Sequence, residues 1–258
     1  ISFNSDGGSE VDSITQDYNT AVTAPAKPSK EGYTFNGWNP AVPERMPADN
    51  PTCVAQWTIN RYTISFDSQG GSDVAAITQD YDTAVTAPGE PTKTGYTFVG
   101  WNPAVPQTMP AEDISCVAQW QINRYTISFD SQGGSEVDSI TQDYNTAVTA
   151  PAKPSKEGYT FNGWNPAVPE RMPADNPTCV AQWQINRYTI SFDSQGGSEV
   201  DSITQDYNTA VRKPDDPSKE GYTFGGWEPA VPERMPADNK TCVAQWTINR
   251  YTISFDSQ

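Results

Sequence analysis

The stretch Tyr62-Thr-Ile-Ser-Phe-Asp-Ser-Gln-Gly-Gly-Ser72 decides the fold of this chain, because it holds a strand and the turn that ends it. Apolar and polar residues alternate at its start, so that Tyr62, Ile64 and Phe66 share one face, which predicts a half-buried β-strand. The turn-forming residues that follow end the strand. The same pattern returns twice more in full, and a shortened form of it opens the chain.

The chain of 258 residues repeats itself with a period of 63 residues. The cysteines, two sets of tryptophans and the methionines all keep this step: Cys53, Cys116, Cys179 and Cys242; Trp38, Trp101, Trp164 and Trp227; Trp57, Trp120, Trp183 and Trp246; Met46, Met109, Met172 and Met235. A fixed period of this length predicts an array of structural repeats. The predicted modules are residues 1–61 (truncated at the N-terminus), 62–124, 125–187 and 188–250, with the start of a fifth repeat at 251–258. Both ends interrupt a repeat, so we expect a segment of a longer array.

The second module shows what one repeat contains. Alternation predicts a strand at 62–66, a second stretch at 77–81, a short strand at 96–98 and a last strand at 116–120. The spacing of the apolar residues before position 81 also fits one face of a helix, so both readings stay open there. Residues 102–110 carry three prolines, which excludes them from the middle of a sheet. The pattern predicts a mainly β, at most α+β, module of about four short strands.

Differences between copies fall at polar, turn or small positions, whereas the aromatic residues, the cysteine and the methionine are unchanged. This contrast predicts a core, which in the second module consists of Tyr62, Ile64, Phe66, Ile77, Tyr81, Val85, Tyr96, Phe98 and Trp120. Only residues 121–124 separate Trp120 from the next first strand, and they lack the Gly, Ser or Pro content of a flexible linker. We therefore expect tight joints and an extended rod of modules.

The formal net charge of −16 argues against nucleic acid and anionic lipid as partners, because neither would find a basic surface. No apolar run approaches the roughly 20 residues that a bilayer span needs, so direct membrane insertion is not expected. The chain has no histidine, no serine in a nucleophile motif and no paired cysteines, so we predict no catalytic residue, no cofactor and no metal.

The line Gly95-Tyr-Thr-Phe-Val-Gly-Trp101, with Met109-Pro-Ala-Glu112 and Ala118-Gln-Trp120, resembles the Listeria–Bacteroides repeat, a family that includes the B-repeat of internalin-type surface proteins. The resemblance extends over every module. It implies a small β-grasp fold in secreted or surface-anchored bacterial proteins, hence an extracellular or cell-surface location, and a role as a stalk or spacer. The family brings no catalytic residues. Cys116 and its counterparts depart from the family pattern, which commonly has Leu or Tyr there.

The regularly spaced cysteines have two readings. Cys116 shares a strand face with Ala118 and Trp120, which favours a buried thiol that acts as a small hydrophobic residue. Alternatively, Cys53, Cys116, Cys179 and Cys242 are candidate interchain cross-links, because an odd cysteine in a secreted protein invites pairing between chains. Pairing within the chain is not expected, since equivalent positions lie a module apart and a disulfide needs Cα atoms within about 7 Å.

Trp38, Trp101, Trp164 and Trp227 form a candidate interaction surface. Trp101 has the strand parity of Val99 and not that of Phe98, which predicts a solvent-facing indole. It would pack on the proline-rich loop, on another module or chain, or on a sugar. The turn Asp67-Ser-Gln-Gly-Gly-Ser-Asp73 has a faint likeness to a calcium loop, but it lacks the distal glutamate, so a plain glycine turn is expected.

Three functional hypotheses follow. The first is a stalk or spacer of a large bacterial surface protein, an adhesin. The second is a subunit of a self-assembling extracellular filament or sheath, cross-linked through one cysteine per repeat. The third is a carbohydrate-binding or host-ligand-binding array, for which the sequence offers no specific support. The expected partners are neighbouring repeats and other copies of the same chain. Fourfold repetition argues against an enzyme.

Overall fold

The computed structural model describes residues 1–255. The strands in that range are β1 (Ser2–Asn4), β2 (Tyr33–Asn39), β3 (Thr52–Ile59), β4 (Arg61–Asp67), β5 (Ile77–Asp80), β6 (Tyr96–Asn102), β7 (Ile114–Ile122), β8 (Arg124–Asp130), β9 (Ile140–Asp143), β10 (Tyr159–Asn165), β11 (Thr178–Ile185), β12 (Arg187–Asp193), β13 (Ile203–Asp206), β14 (Tyr222–Glu228) and β15 (Lys240–Ile248). No helix occurs among the described residues, so the segment at 77–81 forms the strand β5 over its first four residues, and its helical reading is wrong. None of the described residues forms a helix long and apolar enough to cross a membrane.

The strands form four separate sheets, one for each repeat: β1–β3 (module 1), β4–β7 (module 2), β8–β11 (module 3) and β12–β15 (module 4). In module 2 the spatial order is β5-β4-β7-β6. The first strand, β4, runs parallel to the fourth strand, β7, and the two outer strands are antiparallel to their neighbours. Modules 3 and 4 repeat this order, so the first and last strands of a repeat lie at the centre of its sheet.

The core of module 2 lies against the central strands. Ile64 and Cys116 have 0% exposure and Met109 has 1%. Several partly buried side chains pack against them: Tyr62, Phe66, Ile77, Val85, Trp101, Val105 and Ile114. Alternation explains this arrangement, because every second residue of a strand points to the same face.

Module 1 has three strands, in the order β1-β3-β2. Residues 14–17 correspond to the second strand of the other modules, which pairs with the start of the first strand. In module 1 that start is reduced to Ile1, which exchanges hydrogen bonds with Ile14 in both directions at 2.9 Å. One residue pair cannot define a strand, so this segment remains irregular.

After Asn102, the last residue of β6, the proline-rich segment at 103–110 lies outside the sheet, as its composition predicts. It begins with a cis peptide bond between Asn102 and Pro103, and each of the other modules has a cis bond at the same place. By its internal contacts the chain divides into two compact units, residues 1–123 and the part from Arg124 onward. Each unit contains two modules.

Candidate functional site

The connection between consecutive modules is the place where one repeat acts on the next. Within residues 1–123, a single residue, Asn60, separates the last strand of module 1 from the first strand of module 2. We call the group of Gly32, Tyr33, Asn60 and Tyr81 the first joint. A connector of one residue agrees with the tight joint that the sequence predicts.

Asn60 is hydrogen-bonded to both modules. Its backbone N–H donates to the carbonyl of Gly32 at 2.8 Å, and its carbonyl accepts from the N–H of Tyr81 at 2.9 Å. Its side-chain oxygen accepts from the Thr34 hydroxyl at 2.6 Å, and its amide nitrogen donates to the Tyr62 hydroxyl at 3.2 Å. Two bonds to each module leave the connector no free rotation without the loss of hydrogen bonds.

The ring of Tyr81 occupies the space that a glycine leaves open. Gly32 has a φ of +74°, and a Cβ added there would lie 2.0 Å from the Tyr81 ring. The Tyr33 ring meets the Tyr81 ring edge-on, with centroids 6.1 Å apart. Two features therefore require glycine at this position. Its backbone is left-handed, and the tyrosine of the next module packs directly on its Cα.

The same arrangement occurs in the unit from Arg124 onward. We call Gly158, Tyr159, Asn186 and Tyr207 the second joint. The N–H of Asn186 donates to Gly158 at 2.9 Å, and its carbonyl accepts from Tyr207 at 2.9 Å. A Cβ on Gly158 would again lie 2.0 Å from the Tyr207 ring, whose centroid is 6.2 Å from that of Tyr159. The joint therefore recurs in both units, as the repetition of its residues in the sequence predicts.

The tyrosine of each joint lies beside a carboxylate of the preceding module. Partial burial raises the pKa of Tyr81, and the charges of Glu31 and Asp82 raise it further. Partial burial also raises the pKa of Tyr207, with further contributions from the charge of Glu157 and from a hydrogen bond to it. A phenol that donates to a carboxylate is favoured in its neutral form.

The four cysteines lie in the cores of their modules. Cys53, Cys116, Cys179 and Cys242 are unpaired and have 0% exposure. Burial raises the pKa of each thiol, and at Cys53 the charge of the N-terminus opposes the rise. A neutral, enclosed thiol is a poor nucleophile. The cross-linking hypothesis thus requires a module to open first, and it stays a prediction.

The tryptophans of the third strand point inward because of a β-bulge. In β6 the pairing shifts between Phe98 and Gly100, so Val99 is 63% exposed while Trp101 returns to the inner face. Trp101 packs on Phe66 and Phe98, with centroids 4.9 and 5.3 Å apart. Strand parity predicts that Trp101 faces solvent like Val99, and this prediction is wrong because of the bulge.

The other modules repeat this placement. Trp38 and Trp164 are half-buried and Trp227 is 6% exposed. The interaction-surface hypothesis for the four indoles stays a prediction.

A second set of aromatic residues fixes the glycine turn. Trp120 donates its indole N–H to the carbonyl of Ser68 at 2.9 Å, and Lys93 Nζ donates to the carbonyl of Gln69 at 2.7 Å. Lys93 Nζ also lies 4.6 Å from the centroid of the Tyr96 ring. A Cβ on Gly71 would lie 2.6 Å from the Trp120 indole, which explains the second glycine of the turn.

The turn itself has local partners. The Asp67 carboxylate accepts from the backbone N–H of Gln69 at 2.9 Å, as in an Asx turn. Within residues 1–255, no group of three His, Cys, Asp or Glu side chains is placed to hold a metal ion.

The sequence matches the model of the Listeria-Bacteroides repeat domain at residues 1–43, 62–115, 125–169 and 188–231. These matches cover well over half of the chain and recur once in every module. The chain belongs to the Listeria-Bacteroides repeat family.

Three proteins that this chain resembles are longer than it. A Gly-rich membrane protein of Evansella cellulosilytica is 35% identical over 275 residues, which is 92% of this chain and 32% of the relative. A second membrane protein of that organism is 32% identical over 297 residues, 98% of this chain and 44% of the relative. Internalin H of Listeria monocytogenes is 36% identical over 151 residues, 52% of this chain and 27% of the relative. The chain thus spans less than half the length of each.

One solved structure, SHIRT domains 3-4 of a streptococcal cell surface protein, covers 49% of this chain and 98% of its own length at 19% identity. Its TM-score of 0.19 is too low to relate the two folds.

Two groups of residues in this Listeria-Bacteroides repeat protein are not predicted from the sequence. The joint brings Gly32 to Tyr81, and a periodic pattern cannot reveal which side chain fills the space above a glycine. For the contact of Lys93 with Trp120 and the glycine turn, the sequence gives only a weak indication: the second glycine, the lysine and the tryptophan all recur at the 63-residue step.

Proposed function

We propose that this chain is a structural repeat segment, a stalk or spacer, of a large bacterial surface protein with an adhesive role. The observation that carries the proposal is the joint: Asn60 and Asn186 each connect two modules without slack and are hydrogen-bonded to both. A connector of this kind passes the orientation of one module to the next, whereas a flexible linker would let each module turn freely.

The family relatives support a location at the cell surface. Two are described as membrane proteins and one is an internalin. We propose an extracellular or cell-surface location for this segment, with neighbouring repeats as its main partners. A host or glycan ligand is not assigned to it.

A structural role also agrees with the chemistry of the side chains. The chain has no histidine, and its thiols are enclosed in the cores, where burial disfavours the reactive thiolate. We therefore propose that the segment is not an enzyme. Repetition of one module supports the same conclusion, because each added copy increases length, while catalysis needs a single site.

We propose the β-grasp class for the single module. A parallel pair of first and last strands at the centre of a mixed sheet supports this assignment, although residues 1–255 contain no helix to pack across the sheet. We further propose the module boundaries 1–61, 62–124, 125–187 and 188–250, which place Asn60, Asn123 and Asn186 just before the first strand of the next module.

Small-angle X-ray scattering of the whole chain tests the spacer function. We expect monomers with a rod-like distance distribution at every concentration. A variant with Gly-Ser-Gly-Ser inserted after Asn60 and after Asn186 should show a shorter mean end-to-end distance, although it gains residues, because the joints lose their bonds. A compact monomer, or no change on insertion, would contradict the proposal.

The alternative is a subunit of a self-assembling filament or sheath, and the regular cysteines favour it. It predicts ordered polymers by negative-stain microscopy and an oxidised ladder on a non-reducing gel. Burial of all four thiols opposes cross-linking between folded modules. A third reading, a carbohydrate-binding array, predicts hits on a glycan array, and a blank array removes it.

A further inference from the structure

The chain enters and leaves each complete module through the centre of the sheet. In module 2 the first strand, β4, pairs in parallel with the fourth strand, β7, from Ile64↔Ile114 to Asp67↔Val117. We call this parallel pairing of the first and fourth strands the seam of a module. Corresponding seams join β1 to β3, β8 to β11 and β12 to β15.

Tension along the chain must cross the seam. The N-terminal half of β4, from Arg61 to Ile64, pairs with β5, and its C-terminal half pairs with β7. The C-terminal half of β7, up to Ile122, pairs with β6. A pull on Arg61 and Ile122 in opposite directions therefore slides β4 along β7. The hydrogen bonds of a parallel pair lie across that direction, so all of them are loaded together. In a hairpin pulled at its open end, they break one at a time.

Side chains reinforce the seam at both ends. The Asp113 carboxylate accepts from the backbone N–H of Thr63 at 2.7 Å, just before the first residue pair. Trp120 of the fourth strand donates to Ser68, which follows the first strand, at 2.9 Å. Between them, Ile64 and Cys116 are completely buried, so sliding would drag core side chains past one another.

The seams are not equal, and one residue explains the difference between modules 3 and 4. The seams of modules 2 and 4 contain four residue pairs, which begin at Ile64↔Ile114 and at Ile190↔Lys240. The seams of modules 1 and 3 contain three pairs. At the position of Ile114 and Lys240, module 3 carries Pro177, and proline has no N–H to donate. Module 1 carries Pro51 there, opposite Ile1, the first residue of the sequence, so the comparison of modules 3 and 4 is the one that isolates the proline. The carbonyls of the two prolines still accept from Ser2 and Ser128 at 3.0 Å.

We propose that each module bears tension along the chain by shear of its seam, and that module 4 unfolds more slowly under tension than module 3 because Lys240 completes a pair that Pro177 cannot make. The proposed stalk function enters only as the source of the tension. A scattering result that contradicts the spacer function would not contradict the shear resistance. Equal unfolding rates of all modules under tension would contradict the shear proposal and not the spacer function.

The experiment holds the whole chain by its two ends under constant tension and records unfolding steps, each releasing on the order of 200 Å for a 63-residue module. Two reciprocal variants test the seam: Lys240→Pro and Pro177→Lys. Loss of one hydrogen bond that is intact in the folded state and broken at the barrier speeds unfolding about fivefold. We expect one step to become about fivefold faster in Lys240→Pro and one about fivefold slower in Pro177→Lys.

Modules 1 and 3 fold with proline at this position, so the fold accepts it. The chain with both substitutions should restore the original distribution, since it exchanges the two seams. Four steps that respond to neither substitution would overturn the proposal.

The direction of pulling gives an independent test. A peptide handle inserted at Gly89, where the loop has open space, lets tension run from the N-terminus to that point. The tension then acts on module 2 at Arg61 and just beyond Asp80. These two residues are paired at the open end of the β4–β5 hairpin, so the hairpin is pulled apart one hydrogen bond at a time. We expect module 2 to open before module 1, with a step shorter than a full module. If module 2 resists as long as it does when held by both ends, the shear geometry is not what protects it.

Discussion

The joint and the seam stabilise the array in different ways. The first joint is made of hydrogen bonds around Asn60 and an edge-on contact between the rings of Tyr33 and Tyr81, and Gly32 is its tightest point. The seam of module 2 is built on Ile64 and Cys116, which have 0% exposure. The joint therefore depends on backbone shape, whereas the seam depends on buried apolar volume.

This difference separates folding from alignment. Damage to the seam should unfold a module, because buried apolar area supplies most of the favourable free energy of a small domain. Damage to the joint should leave two folded modules that no longer hold each other in place. Substitutions in the seam should therefore lower the stability of a module, whereas substitutions in the joint should loosen the connection between two folded modules. The seam substitutions should also have the larger effect on the free energy of unfolding.

The largest effect is expected from Ile64→Ala in the seam. Removal of three buried carbons leaves a cavity between β4 and β7 and should lower the free energy of unfolding of module 2 by about 3 kcal/mol. Urea unfolding followed by tryptophan fluorescence measures this loss. Val99→Ala, on the exposed side of β6, is the matched control and should stay within about 0.5 kcal/mol of the parent. Equal effects at the two positions would break the distinction.

Gly32→Ala should have a smaller and more local effect at the joint. The left-handed backbone alone strains an alanine by about 2 kcal/mol, and its Cβ would clash with the Tyr81 ring. We expect both modules to stay folded while hydrogen exchange at the Tyr81 amide, which donates to Asn60, becomes faster.

Gly89→Ala is the control for this substitution, because nothing lies within 4 Å of the added carbon. Unchanged exchange at Tyr81 in Gly32→Ala would show that the ring does not fix the joint. Global unfolding of module 1 would show that joint and core are not separable.

A smaller effect on the seam is expected from alkaline pH. Burial raises the pKa of Cys116 above its ordinary value of 9.0, so the folded state favours the neutral thiol. The stabilisation is complete below the unfolded pKa and is lost as the pH rises through the folded pKa. Unfolding free energies measured between pH 7 and 11 should decline less in Cys116→Ala than in the parent. A parallel decline in both would assign the pH dependence to other groups.

Much of the seam follows from the sequence, and little of the joint does. Alternation at Tyr62, Ile64 and Phe66 predicts the first strand, and Ile64 is the centre of the core. The constancy of Tyr81 among copies predicts it in that core, but its ring packs on Gly32 of the preceding module instead. Constancy marks a packed residue and does not distinguish packing within a module from packing between modules.

The third strand shows a second limit of periodic reasoning. Strict alternation places Trp101 with Val99, but the bulge between Phe98 and Gly100 inserts one residue and reverses the parity beyond it. Gly100, with a φ of +150°, is the local sign of such a bulge. A glycine within a predicted strand is therefore a reason to restart the alternation after it.

The smallest expected effect lies at the second joint, where Tyr207 can be changed without loss of its ring. Partial burial, the charge of Glu157 and the hydrogen bond to that carboxylate all raise the pKa of Tyr207 above its ordinary value of 10.0. The neutral phenol thus stabilises the joint fully below that value, and the contribution disappears as the pH rises through the folded pKa.

Tyr207→Phe keeps the contact with Gly158 and removes the titrating hydroxyl. Once exchange rates are corrected for their intrinsic catalysis by hydroxide, it should abolish the alkaline loss of protection at the amide of position 207 and change protection at neutral pH little. Glu157→Gln should lower the pKa of Tyr207 in an ultraviolet titration of the phenolate. If Tyr207→Phe instead loosens the joint at neutral pH as much as Gly158→Ala does, the hydroxyl and not the ring holds the modules together, and the joint depends on polar contacts more than on the shape of its glycine.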